Sequence, residues 1–86
     1  MGVDISIEPV KRFFQIDMKD LAYVKFIIES YDGIAMQRTL NAKRGEIELM
    51  APKCNEPVLD AILDDLKREV MIREIKKPVD YFDLVL

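Results

Sequence analysis

The amino-acid sequence predicts an α+β domain whose elements run strand, helix, strand, strand, helix, strand between Val10 and Ile75. Three observations lead there. Short segments alternate apolar and polar residues with period two, as strands with one buried face do. Two longer segments repeat apolar residues at helical spacing. Gly33, Gly45, Pro52 and Pro78 stand between these segments, where glycine and proline punctuate regular structure.

Val3, Ile5 and Ile7 alternate with Asp4, Ser6 and Glu8 until Pro9, which predicts an apolar N-terminal arm or a short extra strand. Val10 to Ile16 is the first strand of the motif, with Arg12, Phe14 and Ile16 on one side and Phe13 and Gln15 on the other. Asp17 opens a helix, because its carboxylate can accept from the free N–H groups of the first turn, and Asp20 adds negative charge at the favoured end of the dipole. Leu21, Val24, Ile28 and Tyr31 form the apolar face of that helix, and Gly33 ends it in the left-handed conformation. Ile34, Met36 and Leu40 alternate with Ala35, Gln37 and Thr39, predicting the second strand.

Residues 41–45 (Asn-Ala-Lys-Arg-Gly) make a hairpin turn whose Gly45 suits a positive φ. In the third strand Ile47, Leu49 and Ala51 alternate with Glu46, Glu48 and Met50, and Pro52 closes it. Asn55-Glu56-Pro57 starts the second helix, since proline is tolerated in the first turn. Val58, Leu59, Ile62, Leu63, Leu66 and Val70 form its apolar stripe, opposite Asp60, Asp64, Lys67 and Arg68. Met71 to Ile75 is the last strand, and residues 79–86 form an apolar C-terminal arm. That arm carries apolar area whose burial is worth several kcal/mol at about 25 cal/mol per Å². It is expected to return to its own sheet or to cross to a second copy.

Hairpin geometry and right-handed crossovers leave few assemblies for this order. The commonest is a ferredoxin-like sandwich: a four-stranded antiparallel sheet with both helices on one face. The uncovered face is expected to show Gln15, Gln37, Thr39, Glu46 and Glu48, with Phe13 and Met50 among them.

Eighty-six residues fit a single domain spanning 1–86, which buries only about 60–65% of its unfolded surface. The net charge of −3 argues against a general nucleic-acid binder, and the basic residues stand in scattered pairs such as Lys11-Arg12, Lys43-Arg44 and Lys67-Arg68. One cysteine, Cys54, forbids an internal disulfide and fits a reducing cytoplasm. No segment has the length or composition of a membrane span or a signal peptide.

There is no histidine, which removes Ser-His and Cys-His pairs, the usual proton shuttle at neutral pH and the commonest zinc ligand. No phosphate-binding glycine motif and no Cys-x-x-Cys occurs. Neither a metal nor a cofactor is therefore expected. Cys54 precedes a helix, a position that can lower a thiol pKa, but no basic or resolving partner beyond Lys53 is evident. Asp64-Asp65 suits a solvated helix face better than acid–base catalysis, and Asp17 and Asp20 suit helix capping. Tyr23 and Phe26 fall on the outer side of the first helix, where they are expected either to be covered within the chain by the N-terminal arm or the Tyr81-Phe82 tail or to form an interface with a second copy, together with Tyr81, Phe82 and Leu84.

Asp17-Met18-Lys19-Asp20-Leu21 and Gly33-Ile34-Ala35-Met36 resemble motifs of the ACT-type regulatory domains, in which Asp-x-Pro-Gly-x-Leu follows the first strand and Gly-Ile-Asn-Ile begins the second. The resemblance implies a βαββαβ fold, pairing of copies, and an amino acid bound at a subunit boundary beside residues 17–21. Lys19 and Asp20 stand where that family has Pro and Gly, and a carboxylate at Asp20 would repel the carboxylate of an amino acid. The wider chain, with Tyr23-Val24-Lys25-Phe26 and Tyr31-Asp32-Gly33, is also similar to a family of small bacterial proteins of unknown function.

The expected function is a small cytoplasmic binding or regulatory domain, not an enzyme. It is expected to self-associate as a dimer and to bind a small metabolite such as an amino acid at Asp17, Met18, Lys19, Asp20 and Leu21. The alternative is a protein–protein adaptor with no small ligand. Nucleic acid and membrane are not expected as partners, since the sheet lacks the aromatic pairs that stack RNA bases.

Overall fold

The computed structural model describes residues 9–79. The N-terminal arm and the C-terminal arm beyond Val79, with Tyr81, Phe82 and Leu84, lie outside the described residues.

Within that span the elements are β1 (Val10–Ile16), α1 (Leu21–Ser30), β2 (Met36–Asn41), β3 (Glu46–Ala51), α2 (Glu56–Leu66) and β4 (Ile72–Ile75). The strands form one antiparallel sheet in the order β2-β3-β1-β4. This is the α+β, ferredoxin-like arrangement. Phe14 and Ile16 of β1, Ile47, Leu49 and Ala51 of β3, and Ile72 of β4 share one face. They pack in a single cluster with Val24 and Ile28 of α1 and with Leu59, Ile62, Leu63 and Leu66 of α2. Both helices therefore cover the same side of the sheet.

Each helix is preceded by one 3-10 turn, Met18–Asp20 and Lys53–Asn55. The Asp17 carboxylate accepts from the N–H of Lys19 at 3.4 Å, so it caps that turn, and the α-helical hydrogen bonding begins only at Leu21. α1 ends at Ser30, so Tyr31 lies past the helix and is exposed, and Gly33 takes its positive φ of 75° in the following turn. In α2 the apolar stripe holds except at Val58, which is exposed, and Val70, which packs on the core from beyond the helix.

Register overturns the expected facing of β2. Gln37 pairs with Leu49 and Thr39 with Ile47, which puts Gln37 and Thr39 on the helix-covered face. Met36 and Arg38 therefore face the other way, and Met36 is 66% exposed. A one-residue change of phase reverses every side chain of a strand. Here the phase is set by the turn at residues 42–45 and by a register shift between Thr39 and Asn41. The apolar alternation could not set it, because Arg38 interrupts it. As a result Gln37 is only 8% exposed, and its Oε1 has no hydrogen-bond partner among the described residues. Phe13 and Glu48, on the face away from the helices, are also buried, with Arg38 Nε 3.2 Å from the Glu48 carboxylate.

Arg12 shares the helix side of β1 with Phe14 and sits 5.5 Å from the centre of its ring. It donates from Nε and Nη2 to the two oxygens of Glu74 on β4, at 3.0 and 2.9 Å, and from Nη1 to Asp60 of α2 at 2.5 Å. One guanidinium thus ties β1 to the edge strand and to a helix. Its bidentate contact holds the Glu74 carboxyl below its ordinary pKa.

Candidate functional site

Antiparallel pairing brings three segments to one end of the sheet: the end of β1, the turn between β2 and β3, and the start of β4. Gln15 lies opposite both Glu46 and Arg73, and Ile16 opposite Ile72.

Gly45 is what allows the turn to lie on the end of β1. Its φ is 69°, and the N–H of Ile16 donates to its carbonyl at 2.8 Å. A Cβ at this position would stand 1.7 Å from the Ile16 carbonyl oxygen, so no other residue permits the approach. The turn is closed by the N–H of Arg44 donating to Asn41 Oδ1 at 3.0 Å, and by the N–H of Gly45 donating to the Ala42 carbonyl at 3.2 Å.

Gln15 joins the three segments. Its Nε2 donates to the Arg44 carbonyl at 3.0 Å, and its Oε1 accepts from Arg73 Nη2. One amide, standing on β1, thereby fixes both the hairpin backbone and the first cation of β4.

Above Gln15 and Ile16 these segments enclose an open groove of about 480 Å³, walled by Asp17, Met18, Lys43, Arg44, Met71 and Arg73. Three cations face one carboxylate, in a chain whose net charge is −3. Arg44 is shared with Glu46, 3.2 Å away. Met18 and Met71 are both largely exposed and supply apolar, adaptable surface beside the charges. Such a lining can hold an acid group on its cations, an ammonium at Asp17 and an aliphatic body on sulfur and methylene.

Of the residues expected to bind a ligand, Asp17 and Met18 line this groove. Lys19, Asp20 and Leu21 do not: Lys19 is exposed on the 3-10 turn, Asp20 stands at the α1 N-cap, and Leu21 packs against the core. Among the residues expected to form a contact surface, Phe26 is 68% exposed. Tyr23 is partly engaged within the chain. Its hydroxyl donates to Glu69 at 2.5 Å, and that hydrogen bond raises its pKa. Cys54 is exposed in the 3-10 turn before α2, and Asp64 and Asp65 are exposed on α2. Among the described residues no group of His, Cys, Asp and Glu could hold a metal ion, and no helix is long and apolar enough to cross a membrane.

Sequence reasoning missed Gln15, Lys43, Arg44, Met71 and Arg73. Lys43-Arg44 in a glycine-closed turn was a usable signal, since the βαββαβ order carries that turn to the same end of the sheet as Asp17. Arg73 and Met71 offered none, because their place depends on the β1–β4 register.

A second groove, of about 440 Å³, lies at the opposite end of the sheet. Its walls are apolar, formed by Pro9, Gly33, Ala35, Met36, Met50 and Pro52.

A family model described as a domain of unknown function, DUF4911, matches residues 14–70. The match begins at Phe14, inside β1, and runs to the residues before β4, so it includes Asp17, Met18, Lys43 and Arg44 and stops short of Met71 and Arg73. No curated protein and no solved structure matches the chain.

Proposed function

The chain belongs to the DUF4911 family, and from that premise we propose that it is a self-associating binding domain of ACT-like, regulatory type, and that it works by binding and not by catalysis. Its ligand is a small metabolite such as an amino acid, taken up at a subunit boundary in the cytoplasm of a bacterial cell. One observation carries the proposal: Asp17 and Met18 share a groove with Lys43 and Arg73, so both charges of an amino acid find an opposite charge beside apolar surface. The groove is open, and a second copy would complete its walls. The absence of histidine from the whole chain supports binding over acid–base chemistry near neutral pH.

Two measurements test this. Light scattering at tens of micromolar should give a dimer, and a clean monomer would remove the subunit boundary. A thermal scan against the twenty amino acids should find at least one that raises the midpoint. A ligand at a hundred times its Kd adds about 2.7 kcal/mol to the stability of the state that binds it.

The second reading, an adaptor without a small ligand, is favoured by the apolar groove at the far end of the sheet and by Phe26 on α1. A dimer whose midpoint no amino acid raises would select it.

A further inference from the structure

We propose that the cationic groove recognises the acid group of its ligand, so that it takes small amphiphilic acids and requires no ammonium group on them. The inference rests on the groove being a binding site and adds the chemical class that fills it. Its grounds are the different ways in which the charged groups of the lining are already engaged.

Asp17 is the only anion among the described lining residues, one against three cations, and its carboxylate also accepts from the N–H of Lys19, capping the 3-10 turn. Arg44 is drawn toward Glu46, which offsets its charge. Arg73 differs. Its partner is the neutral amide of Gln15, which holds the guanidinium in place without cancelling its charge. Gln15 in turn fixes the backbone at Arg44, next to Lys43 at the exposed tip of the turn. Lys43 and Arg73 are therefore the cations the groove offers to an acid group, and with Arg44 they outnumber its one described carboxylate. A carboxylate or phosphate head satisfies them with charge-assisted hydrogen bonds, while Met18 and Met71 receive an aliphatic body of a few carbons.

Three probes with the same branched alkyl body separate the possibilities: 4-methylpentanoate, leucine and 3-methylbutylamine. Each is titrated into the 15N-labelled full chain while backbone amide shifts are followed. The acid is expected to move the amides of Asp17, Met18, Lys43, Arg44 and Arg73, and the amine to leave them in place. Lys43→Gln and Arg73→Gln replace exposed side chains, and each should weaken acid binding by about tenfold, the loss typical of one charge-assisted contact. Raising the salt should weaken it as well. Binding of the acid without leucine upholds the inference and removes the amino-acid reading. Binding of leucine without the acid overturns the inference and leaves the amino-acid reading standing. Shifts with the amine, or acid binding unchanged in both variants, also overturn it. Shifts with none of the three overturn it together with the groove.

Discussion

Replacing Gly45 with alanine should cost far more than the same replacement at Gly33, although both glycines have positive φ, at 69° and 75°. An L-residue in the left-handed region costs about 1–2 kcal/mol, partly offset because alanine stiffens the unfolded chain by about 0.4–1 kcal/mol. At Gly33 a Cβ meets nothing within 4 Å, so the net loss there should stay near 1 kcal/mol. At Gly45 the Cβ would fall 1.7 Å from the backbone oxygen of Ile16, and backbone cannot rotate aside. The turn has to lift from β1, which breaks the 2.8 Å hydrogen bond from Ile16 to Gly45. That break adds about 1–3 kcal/mol, because Gly45 is buried and the parted groups lose their partners. For a domain of this size 1 kcal/mol corresponds to about 4–8 °C in the midpoint. Thermal melts followed by circular dichroism should therefore place G45A at least about 4 °C below G33A. Equal midpoints for the two variants would refute the close approach, and with it the placement of Lys43 and Arg44 over the end of β1.

Gln37→Met keeps the length of the side chain and removes the buried Oε1 that lacks a partner, so melts should show a gain of about 1 kcal/mol; a loss would mean that the oxygen is bonded in solution. Arg12→Ala leaves Glu74, Asp60 and Glu56 close together without their shared cation, and urea unfolding should show a loss of about 1–3 kcal/mol. Glu74 has a lowered pKa in the folded state, first through its hydrogen bonds to Arg12, so its contribution is complete above the ordinary value of 4.5 and is lost as pH falls through the folded value. Glu74→Gln should thus lower the urea midpoint near pH 7, by less than about 1 kcal/mol since the pair is partly exposed, and lower it less near pH 3; an equal effect at both pH values would exclude the ion pair.

The order of elements and most of the core were legible in the residues themselves. Phe14 and Ile16, then Ile47, Leu49 and Ala51, keep strict alternation on the two central strands, where one face must be buried, and Leu59, Ile62, Leu63 and Leu66 keep helical spacing. At the edge the pattern fails. β2 has one neighbour among the described strands, its apolar residues do not alternate cleanly, and its phase follows from the hairpin turn and the register shift beside it. Arg12 looked like one more charged residue on a strand, and only its neighbours Glu74 and Asp60 explain its half-buried place on the helix side.

The candidate site divides in the same way. The loop at Asp17 and Met18 was readable from adjacent residues, because a capping carboxylate after a strand is a local signal. The positive φ of Gly45 was readable in the same way. That Lys43, Arg44 and Arg73, scattered along the chain, meet Asp17 in one groove with Gln15 beneath them follows from strand pairing in the folded sheet. Local periodicity records which residues leave water, whereas the meeting of distant charges is set by strand register, and register depends on one backbone contact between Gly45 and Ile16 as much as on any side chain.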